Sequence, residues 1–174
     1  VSAICYRDDP FFETIIPGWN EHVYIGNVLP REPQLLNYVR HVSKGVTALH
    51  ILPYSGGFAV AVAMNKKNPG EPKNVALAAF AAHVNIKWCI VVDADVDVYN
   101  PADLMWALST RVDWSHDIFL VPGAQGHELD PSSDERGVQT KIGIDATGDK
   151  GRRSIGSRRS ATPRSSTRSP GRAR

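Results

Sequence analysis

The stretch Ile90-Val91-Val92-Asp93-Ala94-Asp95-Val96-Asp97-Val98 decides the reading of this chain. An apolar run breaks into three acids spaced two apart, the pattern of a buried strand that ends at a charged edge. A helix start follows at once in Asn100-Pro101-Ala102-Asp103. Asn100 can cap, Pro101 suits the first helical position, and Asp103 complements the first turn. Ligands and interfaces of open α/β sheets gather at the carboxyl ends of strands. Chemistry or assembly is therefore expected here. On a continuing strand, Asp93, Asp95 and Asp97 share one side and repel unless solvent, a cation or a base intervenes.

The pattern leaves several outcomes open. The acids can be solvated and cap the next turn. Asp93 and Asp95 can form an Asp-x-Asp metal site of the kind found in nucleotide-sugar glycosyltransferases, with a divalent cation bridging to a diphosphate. No Gly-rich phosphate loop or N-terminal nucleotide-binding strand accompanies them. Lys87, one residue before the strand, can pair with the acids or reach a phosphate. Arg111, at the end of the following helix, can pair with an acid or complement the helix terminus.

Outward from this core, strands and helices alternate. Residues 1–6 read as a strand and 13–33 as irregular. A helix runs from Pro30 to about Val42, with Leu35, Leu36, Val39 and Val42 on one face. Residues 46–52 and 58–64 are strands around a turn, and 66–73 is a polar loop. An Ala-rich helix spans 74–84, a strand 87–92, a helix 101–111 and a strand 117–121. A Gly/Pro/Ser-rich loop covers 122–134, and 140–146 is a last apolar segment. This order predicts an α/β layer architecture.

At 174 residues, 42% hydrophobic and 22% charged, the chain suffices for one domain with a core. Its net charge of +2 hides a segregation. Residues 1–149 hold 18 acids and 11 Lys/Arg, whereas 150–174 hold nine Lys/Arg and no acid. The folded part is thus acidic, which disfavours specific nucleic-acid binding. The tail at 149–174 has the composition of a disordered segment or of a gene read out of frame. Cys5 and Cys89 form no metal or redox spacing and fit a reducing cytoplasm. No apolar run approaches the ~20 residues of a bilayer span. The first residue is not Met, so the start reads as a cut through a longer protein.

No nucleophile elbow, P-loop, His-Glu-x-x-His or Cys-x-x-Cys is present. The six histidines have no ligand spacing. His127 stands out because it lies in Gly126-His127-Glu128-Leu129, a flexible loop after a strand, and such loops often carry function.

The order of segments resembles the C-terminal part of the UbiD family of prenylated-flavin decarboxylases. The resemblance rests on Val1–Arg7, Pro17-Gly18, Val28-Leu29-Pro30-Arg31-Glu32, and the run from Lys87 to Val98. It continues through Trp106-Ala107-Leu108-Ser109-Thr110-Arg111, Leu129-Asp130-Pro131-Ser132-Ser133 and Thr140-Lys141-Ile142-Gly143-Ile144-Asp145-Ala146-Thr147. It implies a C-terminal α/β sandwich domain over residues 21–148. Residues 1–20 would be a remnant of the cofactor-binding split barrel, including its last strand, and the linker. It also implies reversible, non-oxidative decarboxylation of aromatic or α,β-unsaturated acids in a homo-oligomer. The cofactor would be prenylated FMN with a divalent metal (Mn) and a monovalent ion (K). Catalytic residues and metal ligands would lie upstream of Val1, with none in this chain. Gly126, His127 and Leu129 would line the substrate pocket. Lys87, Asp93, Asp95, Asp97, Arg111, Lys141 and Asp145 would be structural or interdomain residues. The domain could also act purely as an assembly module.

Overall fold

The computed structural model describes residues 1–16 and 21–148. The tail at 149–174, expected to be disordered, lies outside the described residues. Among the described residues, three long helices and five strands build three layers. Strands β1 (Val46–Ile51), β2 (Ala59–Met64), β3 (Trp88–Asp93), β4 (Ile118–Gln125) and β5 (Val138–Ala146) form one sheet in the order β1-β2-β3-β5-β4. β2, β3 and β5 are parallel, and β1 and β4 flank them antiparallel.

The central strand explains the layering. All six residues of β2 are buried, and their alternation sorts them by size. Val60, Val62 and Met64 join Cys89 and Val91 on one face. There they meet Leu35 and Val39 of α2 (Leu29–Val42), and Val75, Ala76 and Ala79 of α3 (Glu71–Ala82). Ala59, Ala61 and Ala63 join Ile90, Val92 and Ile144 on the other face, under Leu104, Ala107 and Leu108 of α4 (Pro101–Arg111). Burying an Ile or Val side chain contributes about 1.5–3 kcal/mol, and a one-residue slip would exchange the two faces. The α/β sandwich architecture is as expected.

Local chemistry sets the element ends. Asn100 Oδ1 accepts from Ala102 N at 3.0 Å and caps α4. Glu32 ties the start of α2 to β1, accepting from Ile51 N at 2.7 Å and bonding His50 Nδ1 at 2.6 Å.

Several expectations are corrected. Residues 1–6 form no strand and are exposed, because no described strand pairs with them. The segment before α2 is helical, with α1 at Glu21–Val23 and a π-turn at Tyr24–Val28. α3 begins at Glu71, within the expected loop. β4 runs through Pro122 and Gly123 to Gln125, with a bulge between Val121 and Ala124. β3 stops at Asp93 and the chain turns, so the three acids share no strand face.

Candidate functional site

The parallel strands give the sheet two unlike edges. At the carboxyl edge, where β3 ends, Arg111 grips the acids. Its guanidinium donates to both Asp95 oxygens, at 2.9 and 2.7 Å, and to Asp93 Oδ2 at 3.0 Å. It also lies 5.1 Å from the Trp106 ring centre. The paired geometry is a bidentate Arg–carboxylate bond. Hydrogen bonding from Arg111 holds the Asp95 carboxyl below its usual range, despite partial burial. The same bond raises Arg111 further.

Asp93 Oδ2 also accepts from Gly148 N, and Asp145 Oδ1 accepts from Thr147 N at 2.9 Å. Lys66 Nζ closes this corner on Thr147 Oγ1 at 2.9 Å and on the Gly148 carbonyl. Asp97 is exposed, and its Oδ1 accepts from Tyr99 N at 2.9 Å. The depression beside Arg111, lined by Asp95, Val96, Asp103 and Trp106, is no larger than a water molecule. Asp93 and Asp95 therefore form an internal knot rather than a metal–nucleotide site. Among the described residues, no group of three His, Cys, Asp or Glu side chains could hold a metal ion.

The amino edge holds the other candidates. Lys87 does not reach the Asp93–Asp97 acids. Its Nζ donates to Asp130 Oδ2 at 2.8 Å and to Ser132 Oγ. Asp130 Oδ1 in turn accepts from Ser132 N at 3.0 Å and Ser132 Oγ at 2.8 Å. Burial works against the Asp130 charge, but the bonds from Lys87 and Ser132 outweigh it and leave its pKa below the ordinary value. Asp134 Oδ1 accepts from Arg136 N and Val138 N at 2.9 and 2.7 Å. The loop expected to be flexible is thus stapled at Asp130 and Asp134.

Within this loop, His127 is half-buried and Leu129 is exposed. Leu129 N donates to His127 Nδ1 at 3.0 Å, so Nε2 carries the proton of the neutral ring. Gly126 is buried against Gln139, whose amide would clash with any Cβ at that position. Beneath lies Lys141, only 2% exposed. Its Nζ donates to the Val84 carbonyl at 2.9 Å and lies 5.8 Å from the Phe80 ring centre. Burial lowers the Lys141 pKa.

Arg31, His83, Asn85 and Gln139, none of them a site candidate from the sequence, also lie at this edge. Asn85 N donates to His83 Nδ1 at 3.1 Å. Burial lowers the His83 pKa, and the charges of Arg31, Lys141 and His127 lower it further. Both polar atoms of the Gln139 amide, and Asn85 Oδ1, are buried without a hydrogen-bond partner. No sequence signal joins them, since they come from α2, the turn after α3 and β5. Cys89 is buried, and burial raises its pKa, which leaves an inert thiol.

Residues 24–146 match the family described as 3-octaprenyl-4-hydroxybenzoate carboxy-lyase C-terminal domain. The anhydromevalonate phosphate decarboxylase of Methanothermobacter thermautotrophicus is 38% identical over 144 residues, covering 81% of this chain and 33% of that protein. The gallate decarboxylase of Lactiplantibacillus plantarum is 30% identical over 161 residues, covering 84% of this chain and 33% of that protein. The UbiD-class enzyme HmfF from Pelotomaculum thermopropionicum, solved in complex with FMN, superposes with a TM-score of 0.65 at 38% identity. That match covers 67% of this chain and 26% of the other. The chain thus spans about a third of the length of the curated relatives it matches. Fold, sequence and segment order agree that this chain belongs to the UbiD family of carboxy-lyases and carries its C-terminal domain.

Proposed function

We propose that this chain is the C-terminal part of a decarboxylase that releases CO₂ from an aromatic or α,β-unsaturated carboxylic acid. The observation that carries this reading is the match of residues 24–146 to a carboxy-lyase domain, together with relatives that are decarboxylases. A flavin, prenylated FMN in this reading, would supply the electron sink for CO₂ loss. The described residues do not make a metal site, and the carboxylates at the carboxyl edge are held by Arg111. In this reading flavin, divalent metal and monovalent ion would be bound mainly by residues outside this chain.

This chain's part is to wall the pocket. The stapled loop presents the His127 Nε2–H as a fixed donor, and Gly126 lets the loop lie close on Gln139. A donor held in this way discriminates between substrates by the polar group it is built to meet. Residues 1–16, with Ile4, Tyr6, Phe11 and Phe12 exposed, would pack against the barrel of the longer protein. That protein would be a homo-oligomer in the cytoplasm. Among the described residues, no helix is long and apolar enough to cross a membrane.

The test is CO₂ release by the full-length enzyme with prenylated FMN. Its substrates are a hydroxybenzoic acid and a phosphorylated unsaturated acid. Turnover of either supports the reading, and turnover of neither overturns it. His127→Phe should change the kcat/KM ratio between the two substrates with flavin content intact.

A further inference from the structure

The two outermost strands of the sheet, β1 and β4, are finished differently. Side chains of α2 cover the backbone of β1. Arg40 donates to the Val46 and Thr47 carbonyls at 3.2 and 3.0 Å, and Glu32 accepts from Ile51 N at 2.7 Å. The free flank of β4 has no such cover. Asp145 N donates to the Asp117 carbonyl at 2.8 Å, so this opposed pair is a hydrogen-bonded one. Pairs alternate from there along the antiparallel ladder. Phe119 and Val121 turn their amides and carbonyls toward Gly143 and Lys141 of β5, and Ile118 and Leu120 turn theirs away. Among the described residues, no hydrogen bond reaches those outward groups.

The side chains tell the same story. Ile118-Phe119-Leu120-Val121-Pro122-Gly123-Ala124-Gln125 carries no charge, although outer strands are normally blunted by charged residues. None of the eight is buried, in contrast to all six of β2, and Leu120 is 61% exposed. Pro122, which has no N–H, and the bulge between Val121 and Ala124 confine the open ladder to residues 118–121.

We propose that residues 118–121 pair antiparallel with the same residues of a second copy of this chain, about a two-fold axis at Phe119. The occupant follows from self-complementarity. The axis sets Ile118 of each copy opposite Leu120 of the other, so every outward N–H meets an outward carbonyl. The same operation packs leucine against isoleucine as an apolar cross-strand pair, and no like charges are opposed. A β4-to-β1 contact, which would add copies head to tail, is closed by Arg40 and Glu32, so assembly through this strand stops at a pair. Another extended chain would satisfy the amides without this match of side chains. The pairing deepens the homo-oligomer named above, and rests on that part of the reading, by naming the strand that joins two subunits. It does not depend on decarboxylation.

The test follows the mass of the present chain by light scattering, and its amide exchange by NMR, over a range of concentration. One short strand pair buries less than the roughly 1,200 Å² of a standard interface, so the dimer is weak and grows with concentration. The Ile118 and Leu120 amides should become protected as it forms, whereas those of Phe119 and Val121, bonded to β5, are protected throughout. Leu120→Lys should weaken dimerisation about tenfold, because the axis makes each substitution count twice. Retained protection at Phe119 and Val121 shows that this variant still folds. Val42→Lys, at an exposed apolar residue of α2 on the β1 side, should leave dimerisation unchanged.

A dimer that Leu120→Lys does not weaken, or one in which the Ile118 and Leu120 amides stay open, overturns the pairing and leaves the homo-oligomer to another surface. Protection of these amides in the monomer assigns the flank to another segment of the same chain and also overturns it. If the present chain is monomeric at every concentration the pairing fails, and the mass of the full-length enzyme decides the homo-oligomer separately.

Discussion

The two edges of the sheet treat charge in opposite ways. At the carboxyl edge, Arg111 answers Asp93 and Asp95, and Gly148 N and Lys66 close the corner. At the amino edge, Lys87 and Asp130 answer each other, Arg31, His83 and Lys141 bond the neutral groups of Asn27, Asn85 and Val84, and the buried Gln139 amide has no hydrogen-bond partner among the described residues. Groups that satisfy one another hold a fold together. Groups held in place without satisfaction are available to a ligand. The motif most conspicuous in the sequence is the structural one, and the candidate site sits at the edge the sequence did not advertise.

The contrast is broken most forcibly at Arg111. Arg111→Met strands two carboxylates and should cost about 2–3 kcal/mol, less than for fully buried pairs because Asp93 and Asp95 keep some water. Urea unfolding measures it. A loss below about 0.5 kcal/mol, the size of an ordinary surface effect, would mean that the knot is ornamental. Asp130→Asn should cost about 1–2 kcal/mol, since the Lys87 ammonium loses its charged partner. It should also loosen the loop, read as faster amide exchange at residues 127–133.

The pH response distinguishes the edges further. Asp95 and Asp130 have depressed pKa values. Their contribution is present above the unfolded value of about 3.9 and is lost as pH falls through the lower native values. His83 is also depressed. Its contribution is present above about pH 6.5 and declines as pH falls through its native value. Between pH 7 and 5 the wild type should therefore lose stability in a step that His83→Gln removes. If the step survives in that variant, His83 is not its source.

The smallest effect belongs to Gln139→Met. Its amide has no partner to lose, so the change should lie between neutral and about 1 kcal/mol stabilising. Thermal unfolding that shows a destabilisation of more than 1 kcal/mol would mean that the amide is satisfied and that the amino edge resembles the other.

Most of the layer architecture was legible from local pattern. Ile90–Val92 is apolar without interruption and is buried, and Asn100-Pro101 opens a helix where capping chemistry places it. Failures arose where one residue type misled. Gly26, Asn27 and Pro30 resemble breakers, yet the π-turn at Tyr24–Val28 carries the chain into α2. Pro122 and Gly123 resemble a loop, yet the bulge absorbs them, with Gly123 at φ 68°. Lys87 lies close in sequence to the acids of residues 93–97, but its partner Asp130 is 43 residues on. The contacts of the amino edge were invisible for the same reason: long-range convergence leaves no spacing to read.

The strand order has a consequence for how the chain is made. β5 enters between β3 and β4, although it is the last strand in sequence. Until residues 138–146 leave the ribosome, β3 has no neighbour on that side and β4 has no neighbour at all. Between the synthesis of Asp93 and that of Val138 the nascent chain therefore carries an unpaired β3 edge, joined after Gln125 by an unpaired β4, a state that exposes it to aggregation. The same insertion brings Gln139 and Lys141 into place only at the final pairing. The candidate site is assembled by the event that closes the sheet, so an incompletely folded chain has no partial version of it.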